Sequence, residues 1–142
     1  MGTTPTLAAQ PPIKVGIVFS YSGAGATAGP ELDGAIAAWT KLHGDTIDGR
    51  KIEIVRRDDT GVAPDIAKRM AQELIVQDHV DLLAGLVFTP NTIAVEGISA
   101  QAHTPLLIVN SATSGILAQD PYAAASPRGW DGSPRGAMSF AR

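Results

Sequence analysis

Four short, strongly apolar runs, each separated from the next by room for one helix, constrain this chain more than any single motif. Residues 13–20 read IKVGIVFS, 51–57 KIEIVRR, 80–85 VDLLAG and 105–110 PLLIVN. Runs this short, bounded by Pro, Gly, Ser or acidic turns, have the form of buried strands. Between the first two, Leu32, Ala35, Ile36, Trp39 and Leu42 recur at helical spacing, with Pro30 placed to open the helix and Gly44 to stop it. Pro64 and Asp65 open a second helix with Ile66, Met70 and Leu74 on one face. A third is expected from about Thr92 to His103, weakened by Gly97. Strands joined by one-helix crossovers run parallel and carry helices on both faces. The fold class expected is therefore α/β, a Rossmann-like parallel sheet.

The 142 residues suffice for one compact domain. A formal net charge of −3 offers no basic surplus for nucleic acid or an anionic membrane. Cysteine is absent, which excludes disulfides, thiol nucleophiles and zinc–thiolate sites. No segment approaches the ~18 uninterrupted apolar residues of a membrane span. Residues 1–12, MGTTPTLAAQPP, lack the basic start and apolar run of a signal peptide. They read as a flexible tail, or as what remains once a signal has been cut away. Residues 13–116 form the expected ligand-binding lobe. Residues 117–142 show no sustained apolar period, are crowded with Pro, Gly, Ser, Ala and Arg, and read as an irregular or disordered tail.

After the first strand, Gly23, Gly25 and Ala28 fit the relaxed dinucleotide fingerprint G-x-G-x-x-[G/A]. The context does not fit. Tyr21 and Ser22 separate the strand from the first glycine, and Pro30 puts the helix start several residues beyond Gly25. The acids Asp58 and Asp59 lie about ten residues beyond the position of a ribose-binding carboxylate. The small residues instead read as a place where a ligand's polar end approaches the backbone.

In open parallel sheets, ligands sit at the carboxyl ends of the strands. Those ends supply Ser20, Tyr21, Ser22 and Gly23, then residues 86–92 (LVFTPNT), then 110–114 (NSATS). Apart from the acids after the second strand, these loops carry hydroxyls, amides and aromatic rings but no charge. With helix N-termini behind them, they suit a carboxylate held by hydroxyls and N–H groups. Each Ser or Thr alone is as readily a helix cap or turn residue; three converging clusters favour a ligand.

Catalysis has little support. No G-x-S-x-G elbow is present. His43, His79 and His103 fall near helix ends that lead into strands, opposite the ligand loops and without metal-ligand spacing. Adjacent Asp58 and Asp59 read as a turn rather than an acid/base pair. No enzyme activity, catalytic residue, metal or cofactor is expected.

The stretches IKVGIVFSYSGAGATAGPELDGAIAAW, DGRKIEIVRRDDTGVAPDIAKRMAQELIVQDHVDLLAG and TPLLIVNSATS resemble the periplasmic solute-binding proteins of ABC importers. The branch they resemble is the type I, leucine/isoleucine/valine-binding group, over about Ile13 to Ile116. The resemblance implies a two-lobed protein that closes on a small carboxylate or amino acid, works with a membrane permease, and is periplasmic or extracellular. It places Thr89 with its hydroxyl on the ligand carboxylate, Ser111 with its carbonyl on an ammonium, and Thr113 with its hydroxyl and N–H, beside Asn91 and Ala112. Ser22 and Gly23 would line the same cleft. FTPN at 88–91 departs from the more serine-rich loop of amino-acid binders, so Phe88 and Pro90 favour another solute, such as an aromatic or keto acid. Family members are about twice as long or more. The break in composition after Ile116 therefore suggests a truncated or frame-shifted gene, with surfaces left open to self-association. The alternatives are the sensor domain of a receptor or regulator with this fold and a nucleotide-dependent enzyme.

Overall fold

A computed structural model describes residues 10–111 and, as backbone, a strand at 123–125. Along the chain run β1 (Ile13–Phe19), α1 (Ala28–His43), β2 (Thr46–Ile47), β3 (Arg50–Asp58), α2 (Pro64–Val76), β4 (Leu82–Gly85), α3 (Thr89–Ala102), β5 (Leu106–Ile108) and β6 (Ala123–Ala125). The strands form one sheet in the order β2-β3-β1-β4-β5-β6, parallel except for the short β2–β3 pair. The expected α/β class with a parallel sheet is thus what the chain adopts.

Alternation along the strands sorts the side chains into two cores. Val18, Leu83, Leu106 and Ile108 point to one face and pack with Ala67, Ala71 and Leu74 of α2 and Val95 of α3. Ile17, Phe19 and Ala84 point to the other, where Leu32 and Ile36 of α1 cover them. Gly16 is buried under α2, since a Cβ there would lie 3.1 Å from Leu74 and Val80. The neighbouring Arg56 and Arg57 divide in the same way. Arg56 reaches Asp33 of α1 at 2.8 Å, and Arg57 reaches Asp78, beyond α2, at 2.7 Å.

Helix boundaries differ from the sequence expectation in an informative direction. α1 begins at Ala28, so Pro30 sits inside the first turn, where its missing N–H breaks no helical bond. α3 begins at Thr89 rather than Thr92, with Pro90 in its first turn. Gly44 ends α1 and Pro64 opens α2, both as read from the sequence. Two strands have no counterpart in the sequence reading. β2 turns into β3 through Asp48-Gly49, both at positive φ (49° and 79°), which is the two-residue hairpin geometry Asp-Gly favours. β6 adds to β5 from within the stretch read as irregular.

The direction in which strands are added to the sheet reverses at β1. The β1–α1–β3 unit runs one way with α1 on one face, and α2 then crosses back so that β4 and β5 extend the sheet on the other side of β1. The carboxyl ends of β1 and β4 therefore flank the switch point where open α/β sheets hold ligands.

Candidate functional site

Three described loops meet at that switch point: 20–27 after β1, 59–63 after β3 and 86–88 after β4. Residues 109–111 follow β5 beside them. Thr89 is the first residue of α3, and its Oγ1 lies 3.4 Å from Oγ of Ser111, which is nearly fully buried. Two sequence-predicted residues, 22 positions apart, thus share one spot at the N-terminus of a 14-residue helix. The first turn of a helix has N–H groups that no helical carbonyl accepts, and its dipole end is positive. Two hydroxyls at such an end can donate to, and orient, one carboxylate.

Ser22 and Gly23 lie in the exposed loop after β1, tied to the loop after β3. Ser22 gives its N–H and its hydroxyl to Asp58, which also accepts the N–H groups of Tyr21 and Thr60. The backbone N–H groups at the start of the glycine loop are thus taken up by the protein's own carboxylate. Gly23 has φ +65°, and a Cβ there would collide with the Thr60 carbonyl. The close approach that requires glycine at 23 is made by this neighbouring loop, which corrects the expectation that a ligand makes it. Gly25 likewise leaves room for the Phe88 ring, whose Cζ would stand 3.1 Å from an added Cβ. Phe88, half-buried, therefore bridges the loops after β1 and β4 beside Thr89.

Asn91 is not where the sequence reading put it. It is fully buried, and its amide group donates to Asp59 Oδ2 (2.8 Å) and to the Gly61 carbonyl (2.7 Å), while its Oδ1 accepts the Ala63 N–H (3.1 Å). With α3 starting three residues early, Asn91 falls in the first helical turn and faces the protein body, so its polar atoms serve the loop rather than a solute. Ala112 and Thr113 lie outside the described residues. Ser20 and Asp59 were legible only as a strand end and an acidic turn. Both are fully buried, and the Ser20 hydroxyl donates to Asp59 Oδ1 at 2.6 Å. His43 closes α1, His103 caps α3 at φ 52° and His79 precedes β4, all at the end of the sheet opposite these loops.

Burial pushes the Tyr21 phenol above its ordinary pKa, and the Asp33 carboxylate beside it adds to the rise. Tyr21 therefore stays a neutral hydroxyl at the edge of the site through the physiological range. Among the described residues no helix is long and apolar enough to cross a membrane.

Comparison with known proteins finds the same fold. The "Leu/Ile/Val-binding protein homolog 6" of Brucella abortus is 37% identical over 110 residues, covering 78% of this chain and 28% of that protein. A solute-binding protein of an ABC transporter from Rhodopseudomonas palustris BisB5, solved with 3,4-dihydroxybenzoic acid, superposes with a TM-score of 0.76 at 40% identity, covering 80% of this chain and 31% of that one. Another from R. palustris, solved with 4-hydroxybenzoate, gives 0.77 at 39% identity, covering 82% and 31%. The chain therefore spans under a third of the length of these relatives. The family model for periplasmic binding proteins matches residues 12–139, beyond the Ile116 limit of the resemblance read from sequence and across β6. The chain belongs to the periplasmic binding protein family.

Proposed function

We propose that this chain forms part of the first lobe of an ABC importer's solute-binding component, and that its cleft takes a small carboxylate, an aromatic one in preference to an aliphatic amino acid. The observation that carries the reading is the Thr89–Ser111 hydroxyl pair at the α3 N-terminus, 3.4 Å apart on two loops of the switch point. A carboxylate accepts two hydroxyls there, with the helix end stabilising its charge by about 0.3–1 kcal/mol. Phe88 supplies the aromatic preference. Its ring packs over Gly25 of the loop after β1, and it precedes Thr89 at the position where amino-acid binders of the resembling group are more serine-rich. Two relatives near 40% identity were solved with hydroxybenzoates, which supports the same choice. Ser22, Ala112 and Thr113 are proposed to line the cleft with this pair. The proposed setting is the periplasm, and the proposed partner is the importer's membrane permease. A second copy of the chain is a further proposed partner, through surfaces that another lobe would cover.

A ligand panel tests the preference. Saturation-transfer NMR with 4-hydroxybenzoate, 3,4-dihydroxybenzoate, leucine and isoleucine is expected to show transfer to the two benzoates and little to the amino acids. The reverse order would replace the aromatic reading with the amino-acid one. Transfer to none of the four would remove the carboxylate reading.

A further inference from the structure

We infer that Asp59 is a positioning residue that locks the three described ligand-facing loops into one frame, through Ser20 on one side and Asn91 on the other. Its consequence for ligand affinity rests on the cleft reading above, while the lock itself rests on geometry alone. Asp59 is fully buried, and among the described residues no cation forms an ion pair with it. A carboxylate in that position is strongly disfavoured unless hydrogen bonds replace its water. Here they do. Oδ1 accepts the Ser20 hydroxyl at 2.6 Å and the Gly61 N–H at 3.1 Å, and Oδ2 accepts the Asn91 amide at 2.8 Å.

Each donor sits on a different segment. Ser20 ends β1, Gly61 lies in the loop after β3, and Asn91 lies in the first turn of α3, two residues beyond Thr89. Asn91 closes the circuit by donating to the Gly61 carbonyl and accepting the Ala63 N–H. Every polar atom of both side chains is engaged, so neither can turn without leaving a buried group unpaired, and a fully satisfied buried network fixes one arrangement. The α3 first turn cannot rotate or slide independently of β1. The separation of Thr89 Oγ1 from Ser111 depends on that turn.

The test uses the full chain and two readouts. Asp59→Asn puts an NH2 group either against the Asn91 amide or against Ser20 and the Gly61 N–H, so a donor faces a donor whichever way the amide turns. Ser99→Ala is the control. It removes a buried hydrogen bond of similar kind, from Ser99 Oγ to the Thr104 carbonyl at 2.6 Å, at the opposite end of α3. Without ligand, Asp59→Asn should speed amide hydrogen exchange about tenfold together at Tyr21, at Thr60 and at Thr92, whose N–H ties the α3 first turn to Phe88, none of them bonded to Asp59. Ser99→Ala should speed it only near Thr104. With 4-hydroxybenzoate as probe, affinity should fall about fivefold or more in Asp59→Asn and less than about twofold in Ser99→Ala. Faster exchange confined to Gly61 and Ala63 would overturn the inference, and so would equal loss of affinity in both variants. If the parent chain binds no 4-hydroxybenzoate, the cleft reading fails while the exchange pattern still decides the lock. Should Asp59→Asn not fold, Ser20→Ala leaves the carboxylate two of its three donors. It should then show the same three-loop pattern at about threefold, and a response limited to Tyr21 would overturn the lock.

Discussion

Asp58 accepts three backbone N–H groups, from Tyr21, Ser22 and Thr60, and the Ser22 hydroxyl, at the point where the loops after β1 and β3 touch. Desolvation alone would raise its pKa, but the hydrogen bonds from Ser22, Thr60 and Tyr21 outweigh it and hold the carboxyl below its ordinary value. A carboxyl whose folded pKa is depressed contributes stability above its unfolded pKa and loses that contribution as pH falls through the folded value. Asp58→Ala is therefore expected to destabilise the chain by about 1–2 kcal/mol at pH 7. The gap to the parent should shrink as pH drops below about 4. Urea unfolding at pH 7 and pH 3 checks both the size and the sign, and a gap that widens in acid would contradict the assignment. At this scale the meeting of Thr89 and Ser111 was legible because both follow strand ends on the same edge of a parallel sheet. Asn91 was misread because the direction of a side chain depends on where its helix begins, and Pro90 looked like a residue before a helix when it belongs to the first turn.

The helices differ in how deeply they are set. α2 buries Ala67, Ala71 and Leu74 completely against β1 and α3, whereas α1 buries only Gly29 fully and leaves Trp39 and Leu42 48% and 78% exposed. Leu74→Ala should cost about 2–5 kcal/mol, the range for a core leucine with little room to collapse. Leu42→Ala should stay within about 0.5 kcal/mol. Denaturant midpoints of the two variants compare them directly; equal losses would mean that the α1 side is packed as tightly as the α2 side. The four parallel strands were readable because their apolar runs are flanked by turn residues. The β2–β3 hairpin was missed although Asp48-Gly49 carried its signal, since a two-residue strand has no period to read. β6 is three alanines, Ala123–Ala125, which offer no contrast between faces.

At the scale of the molecule, the described loops lie at one end of a single sheet, while the relatives it matches are more than two and a half times as long. Affinity for small solutes comes from burying most of their surface. The chain alone is therefore expected to hold 4-hydroxybenzoate in the millimolar range, about −4 kcal/mol. A residue-resolved NMR titration of 15N-labelled chain with 4-hydroxybenzoate, repeated on Thr89→Ala, decides whether the Thr89–Ser111 pair seats the ligand. Saturable shifts are expected at the amides of Thr89, Asn91 and Ser111, weakened about tenfold by the substitution. Shifts absent from these residues, or unchanged in Thr89→Ala, would show that the hydroxyl pair at the head of α3 is not the ligand seat.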